Sequence, residues 1–353
     1  MSSTAPTDPP AHLGAAGAAR PPQPDQVRNR IFAGFLVYLA LGAVAWWAVN
    51  QLLPDQLSLQ ALGHTISTSH LHRRILATIL TMALVIPSVL VFELRMVGWG
   101  DSSMRRLFVE QAASSMTDAA CFLFWQTRVM STLTVVMSLG VALVSGVWLN
   151  DYLREATGIS LSLAWMPQPI QFVGFFLVTS FFDYWGHRLD HSRWFWPLHR
   201  FHHAATEFCV LTSVRTHPAT FTDIVAATLP AAICGVSPEV IVQVNFFILV
   251  LRYVIHSRID SNWGWFGRYV LQSPVHHRLH HILDQSQPVG HFSLTPLWDH
   301  LFGTWRGDAD QSLVIGVDTH YRHGAWIGPD LWRDYCEFWS GVLRFGRAPA
   351  ESN

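Results

Sequence analysis

The sequence predicts an all-α fold: a bundle of membrane-spanning helices with a histidine-rich site gathered at one membrane face. Three observations predict it. Half of the 353 residues are hydrophobic and only 13% are charged, well below the roughly 25% of ordinary soluble domains. Several charge-free apolar runs are about as long as the ~20 residues a helix needs to cross a bilayer. The histidines concentrate between His187 and His281 in three tight clusters at helical offsets.

Taken in order, residues 1–27 are rich in Pro, Ala, Gly and Ser and read as a disordered tail, since they lack the apolar core of a signal peptide. Ile31–Leu53 is the first apolar run and Ile75–Phe92 the second, with Pro87 as a point where it could kink. Ser131–Leu149 is the third. Ser160–Phe182 is the fourth and leads straight into the first histidine cluster. Ile224–Ile255 is divided by Cys234-Gly-Val-Ser-Pro-Glu239. There Gly suits a helix C-cap, Ser237 an N-cap and Pro238 the first helical position. The segment predicts a helical hairpin whose two short arms enter and return on one side. The organisation expected is a tail (1–27), N-terminal transmembrane helices (28–165), a histidine-bearing domain (166–310) and a C-terminal cytosolic segment (311–353).

All basic charge is arginine, because the chain contains no lysine. Arg28 and Arg30 precede the first run, Arg95, Arg105 and Arg106 follow the second, and Arg188, Arg193 and Arg200 follow the fourth. The positive-inside rule then sets the N-terminus and all three histidine clusters on the cytoplasmic side, with Arg73 and Arg74 as the exception. The expected location is an integral, multi-pass membrane protein. The cysteines, Cys121, Cys209, Cys234 and Cys336, form no CxxC pair and suggest neither zinc–thiolate nor disulfide chemistry. A net charge of −1 and the lack of a glycine-rich phosphate loop point away from nucleic-acid or nucleotide binding.

The clusters are His187-Arg-Leu-Asp-His191, His199-Arg-Phe-His202-His203 and His276-His277-Arg-Leu-His280-His281. Offsets of three and four place imidazoles on one helix face. Pro197 and Pro274 each suit the start of the helix that carries the second and third clusters. Imidazole is the commonest metal ligand, and three such faces supply more nitrogens than one tetrahedral ion can use. The chain is therefore expected to hold more than one metal, of the Zn, Cu, Fe or Ni type. His256, after the returning hairpin arm, is counted with the ligands, and Asp183 is expected as a second-sphere acceptor one turn before His187. His276 should point away from its cluster. His217, His276, His291 and Asp260 stay open as ligands or packing residues, and His300 is expected to be structural. Phe181, Phe182, Trp185 and Phe208 are candidates for a substrate wall.

These residues resemble the fatty acid hydroxylase/sterol desaturase superfamily of integral membrane, histidine-rich di-iron enzymes. The matching pieces, between about Gln171 and Trp305, are the three clusters, Arg215-Thr-His-Pro218, His256-Ser257 and Trp298-Asp-His-Leu-Phe-Gly-Thr304. The resemblance implies a helical membrane core capped by a cytosolic di-metal site. It implies two iron ions held by His187, His191, His199, His202, His203, His256, His277, His280 and His281, with zinc as a form that could be isolated. It implies O₂ as co-substrate, electrons from NAD(P)H through a separate electron-transfer protein or reductase, and hydroxylation or desaturation of a lipid such as a sterol or fatty acyl chain. The chain departs from the family in offering Gly290-His-Phe292 where many members have Asn-Tyr-Gly, and Asp260 where some have a further histidine. A zinc-bound hydrolase or isomerase on the same scaffold is the alternative. A non-enzymatic metal- or haem-binding membrane protein is another, although transporters place ligands at the midplane and cytochromes use isolated axial histidines. The sequence leaves homo-oligomerisation open.

Overall fold

Each predicted apolar run that falls on described residues forms a helix. In the computed structural model of the chain, the structure describes residues 24–52, 56–61, 64–69, 71–127, 162–220, 222–283, 290–308 and 314–344, with isolated positions between 129 and 156. The third predicted run, Ser131–Leu149, and most of the predicted tail lie outside the described residues. Helix α1 is Pro24–Leu52, α2 is Leu71–Asp101, α3 is the short Ser103–Arg105 and α4 is Ala113–Gln126. A π-turn at Arg106–Glu110 joins α3 to the loop before α4. The break in α2 falls at Gly98, whose φ of 78° only glycine adopts without strain, rather than at Pro87.

Strands β1 (Gln56–Ala61) and β2 (His64–Ser69) pair antiparallel, with Ala61 opposite His64. This hairpin is a small addition to an architecture that is otherwise built of helices, as expected. Its cause is legible: Gln-Leu-Ser-Leu-Gln-Ala alternates polar and apolar residues with the strand period of two, and the second strand is rich in Thr and Ile. The other regular elements among the described residues are helices, apart from an isolated bridge between Ile282 and Ile315. Among the described residues, two stretches are long and apolar enough to cross a membrane, Asp25–Ala48 and Ala83–Asp101.

Helix α5, Gln168–Asp190, starts later than its apolar run because Pro167 and Pro169 set its first turn, and it continues past Phe182 to present His187. Helices α6 (Trp196–His203), α7 (Thr222–Cys234) and α8 (Pro238–Ile255) follow. The α7–α8 turn is built as its residues dictate. Gly235 takes φ 52°, and Ser237 caps α8 by accepting the Val240 N–H, with Pro238 in the first turn. Then come α9 (Gly264–Tyr269), α10 (Pro274–His280), α11 (Pro296–Leu301) and α12 (Gly328–Leu343).

The arms α7 and α8 pack on α5. Phe175 and Phe176 of α5 meet Val240, Val244, Ile248 and Leu251 of α8 in one apolar core. A second core joins Val85, Val89 and Leu90 of α2 to Tyr253 of α8 and Val210–Leu211. Helix α12 docks on α6. Leu198 packs on Phe338, and Arg200 is held by Asp334 at 2.6 Å and Glu337 at 2.5 Å. Arg200 sits in α6 between His199 and His202, so this C-terminal clamp fixes the helix that carries the second histidine cluster. The three buried cysteines and the exposed Cys336 are all unbridged.

Candidate metal centre

Four helix C-termini converge on one place. His191 is the C-cap of α5, His203 ends α6, His256 is the C-cap of α8 and His281 is the C-cap of α10. Helix ends of that polarity carry partial negative charge and favour a cation. The structure brings together all nine of the predicted ligands there, in two groups. His187, His191, His199, His203 and His280 form the first, and His202, His256, His277 and His281 the second. Within each, the candidate ligand atoms lie within 4.8 Å of one another.

The two His-x-x-His-His motifs are used reciprocally. In α6, His199 and His203 serve the first group and His202 the second. In α10, His277 and His281 serve the second group and His280 the first. Offsets of four stay on one face, and the residue one step short of the turn swings to the neighbouring group.

The chemistry of the nitrogens tests whether metal fits. His187 Nδ1 donates to the Phe292 carbonyl (2.8 Å), His280 Nδ1 to Gly290 (2.8 Å), His202 Nδ1 to Arg215 (3.1 Å) and His256 Nδ1 to Arg252 (2.7 Å). A carbonyl can only accept, so each Nδ1 carries the proton and each neutral ring turns a bare Nε2 inward. The Nε2 atoms of His202 and His256 are nonetheless 3.3 Å apart, those of His256 and His277 2.8 Å, and those of His277 and His281 3.2 Å. In the first group, His191 and His280 approach to 3.1 Å, as do His199 and His203. Two nitrogens each about 2.1 Å from a shared ion would lie ~3.0–3.4 Å apart at bond angles of ~90–110°. Four of these five spacings fit a metal between the nitrogens, and the 2.8 Å between His256 and His277 is slightly shorter.

Protonation does not relieve that crowding. Burial holds the imidazoles of His191, His199, His203, His277, His280 and His281 well below the ordinary histidine range, and their histidine neighbours push the same way. Burial also pushes His256 down to about 3. Each group has an aromatic lid. Phe292 lies against His187, His191 and His280, and Phe208 against His256, His277 and His281.

The remaining sequence candidates separate cleanly. His217 is satisfied on both nitrogens, by the Leu331 carbonyl (2.8 Å) and the Ala219 N–H (3.0 Å), and is a packing residue. His276 turns away as its position predicts: it stacks on His291 and pairs with Asp308 at 2.8 Å. His291 is thereby placed outside both groups. His300 bonds the Arg268 carbonyl. Asp260 pairs with Arg278 at 3.1 Å and belongs to neither group. Asp183 receives the Arg252 guanidinium at 2.5 Å, and the carbonyl of Phe292 is the acceptor at His187 Nδ1. Phe181 and Trp185 pack with Trp298 and Phe302 rather than forming a wall to the imidazoles.

Sequence reasoning missed Asp299. Its carboxylate accepts the N–H groups of Phe292 (2.9 Å) and Ser293 (3.1 Å) and the Thr304 hydroxyl (2.7 Å). That bracing holds the loop whose Gly290 and Phe292 carbonyls orient two ligands of the first group. The Trp298–Thr304 segment was the available signal. Gly290 is required for the same reason, since a Cβ there would lie 2.1 Å from the Thr304 carbonyl oxygen.

The comparisons agree with this architecture. The family described as Fatty acid hydroxylase matches residues 172–304. The chain is 28% identical over 143 residues to alkylglycerol monooxygenase of Xenopus tropicalis, covering 39% of this chain and 31% of the relative. It is 27% identical over 151 residues to methylsterol monooxygenase 2-2 of Arabidopsis thaliana (41% and 55%) and 26% identical over 161 residues to methylsterol monooxygenase 2-1 (41% and 58%). The matched region thus spans less than two thirds of each of these relatives. No solved structure gives a significant match. Residues 172–304, which hold every one of the nine converging histidines, are thus similar to the fatty acid hydroxylase family, in keeping with the resemblance to the fatty acid hydroxylase/sterol desaturase superfamily.

Proposed function

We propose that this chain is a membrane-bound di-iron oxidoreductase that hydroxylates or desaturates a lipid, using O₂ and electrons delivered from NAD(P)H by a separate protein. The observation that carries the reading is the convergence of nine imidazoles in two groups, four of them oriented by backbone carbonyls so that Nε2 turns inward. An all-nitrogen site suits iron or zinc and not magnesium or calcium. Kinship with lipid monooxygenases supports iron over zinc and lipid over a water-soluble substrate. The chain has no haem, flavin or iron–sulfur motif, which supports an external electron donor.

The chain's own residues divide the work. His187, His191, His199, His203 and His280 would hold one ion, and His202, His256, His277 and His281 the other. The Arg215, Arg252, Gly290 and Phe292 carbonyls fix ring orientation and the tautomer, and Asp299 rigidifies two of those carbonyls. Iron bound there supplies the activation of O₂ needed to attack an unactivated C–H bond. The apolar helices α5, α7 and α8 keep water from the reacting carbon, and Phe208 and Phe292 cover the two groups. The arginine pattern supports a multi-pass topology with the metal centre and N-terminus facing the cytoplasm.

The test is metal analysis of the purified full chain joined to mass spectrometry of lipids from cells with and without it. Iron in both groups and an O₂-dependent gain of one oxygen, or loss of two hydrogens, are expected. Zinc-bound protein that turns over a lipid under anaerobic conditions would overturn the oxidoreductase reading in favour of hydrolysis or isomerisation.

A further inference from the structure

Above the metal centre, a charged pair stands where an alkyl chain alone would find no use for it. Asp183 of α5 and Arg252 of α8 meet at 2.5 Å. Asp183 lies one turn before His187 and Arg252 one turn before His256, about 5.4 Å along each helix, so the pair bridges the approach to both groups. A narrow cleft of about 70 Å³ reaches from His187, His199, His202, His256 and His277 up to this pair. A second, larger cavity of about 180 Å³ opens on the other side, between α5, α7 and α8, lined by Thr179, Ala226, Asn245, Ile248 and Leu249. The two share Asp183, Arg252 and Leu294 as a common wall.

The walls are more polar than an alkyl chain needs. Thr179, Asp183 and His187 form an i, i+4, i+8 ladder down α5, and Asn245, Arg252 and His256 descend α8 beside it. Thr179 is 5% exposed, yet its hydroxyl finds no hydrogen-bond partner among the described residues. An unsatisfied buried hydroxyl and an ion pair inside apolar helices are both costly, and ionisable groups at such depth mark a working site. The shared wall places this pair between the second cavity and the histidines.

Resting on the lipid-oxidising reading above, we infer that Asp183 and Arg252 bind a neutral oxygen function of the substrate and so select an amphiphile whose reacting carbon lies within a few bonds of an alcohol, ether or ester oxygen. Arg252 donates to that oxygen while Asp183 holds the guanidinium in place and neutralises it. The Thr179 hydroxyl supplies a further polar contact one turn away. Because Arg252 is already paired, a carboxylate or phosphate would place a second negative charge beside Asp183 and is disfavoured. Arg252 contacts the substrate directly and Asp183 acts through it as a positioning residue, and the carbon attacked is set by its distance from the oxygen that Arg252 holds.

Binding measured anaerobically, without turnover, tests this on the full chain in lipid nanodiscs against empty discs, with radiolabelled hexadecan-1-ol, hexadecane and palmitate as probes. The wild-type protein is expected to retain the alcohol about tenfold better than either other probe, the scale of one hydrogen bond to a charged group. Arg252→Gln should erase the preference for alcohol over alkane, and Asp183→Asn should raise palmitate relative to alcohol. The double variant Asp183→Asn/Arg252→Gln, which leaves no lone charge, guards against misfolding and should bind alcohol and alkane alike. Equal retention of alcohol and alkane by the wild-type protein overturns the inference, as does a preference that survives Arg252→Gln. The oxidoreductase reading fails separately, in the metal and O₂-dependence measurements, and can fall while the binding preference stands.

Discussion

His203 and His281 stack nearly face to face, with ring centroids 4.1 Å apart and planes 20° from parallel, yet they belong to different ligand groups. They are the last residues of the two His-x-x-His-His motifs, and their contact is the seam along which the groups adjoin. One helix face from α6 and one from α10 interlock there, each sending a single histidine across to the other's group.

This interlocking predicts which metal each ligand controls. His199→Ala should weaken the first site and leave the second, and His277→Ala should do the reverse, although both residues open the same motif. Metal content per chain, measured after dialysis against graded chelator, should fall by about one ion in either variant. Loss of both ions from each variant would argue against two separable groups.

Asp299 is predicted to act through the loop it braces. Asp299→Ala frees the Phe292 and Ser293 N–H groups and loosens the carbonyls that orient His187 and His280, both of the first group. A loss of about 10–100-fold in metal affinity, the usual scale for outer-sphere partners, is expected at that group, with the second little changed. Gly290→Ala should resemble it, because the added methyl meets the Thr304 carbonyl. A chelator titration resolves the two affinities.

His217 offers the contrasting case. His217→Ala strands the Leu331 carbonyl and the Ala219 N–H, a cost of about 1–3 kcal/mol for a buried unsatisfied group. Its melting temperature should drop while metal content stays at the wild-type level. A metal-depleted but equally stable variant would return His217 to the ligand set.

Arg215 links stability to the second group. Its guanidinium pairs with Asp118 at 2.5 Å, both side chains fully buried, and its carbonyl orients His202. Asp118→Ala leaves a buried charge uncompensated and should cost about 3–5 kcal/mol. Replacing both partners with apolar residues of similar size, as in Asp118→Leu/Arg215→Met, should recover much of that loss. Thermal unfolding in detergent reads both, and equal melting of the single and double variants would remove the ion pair from the account.

The sequence by itself determined the three histidine clusters and the turn that divides α7 from α8, because both depend on local geometry. Offsets of three and four fix a helix face, and Gly235, Ser237 and Pro238 fix a cap, whatever the rest of the chain does. The β1–β2 hairpin was equally local, and its period-two alternation stands in the sequence beside the more conspicuous apolar runs. Tertiary structure alone decided how the histidines divide into two groups, since a helix face has no partner until distant helices pack against it. It also decided that His217, His291 and Asp260 stand apart from the groups, each taken by a neighbour remote in sequence or by a competing charge. The acceptors that orient the ligands were hidden for a simpler reason. Every residue carries a backbone carbonyl, and only the folded chain shows that those of Arg215, Arg252, Gly290 and Phe292 face an imidazole.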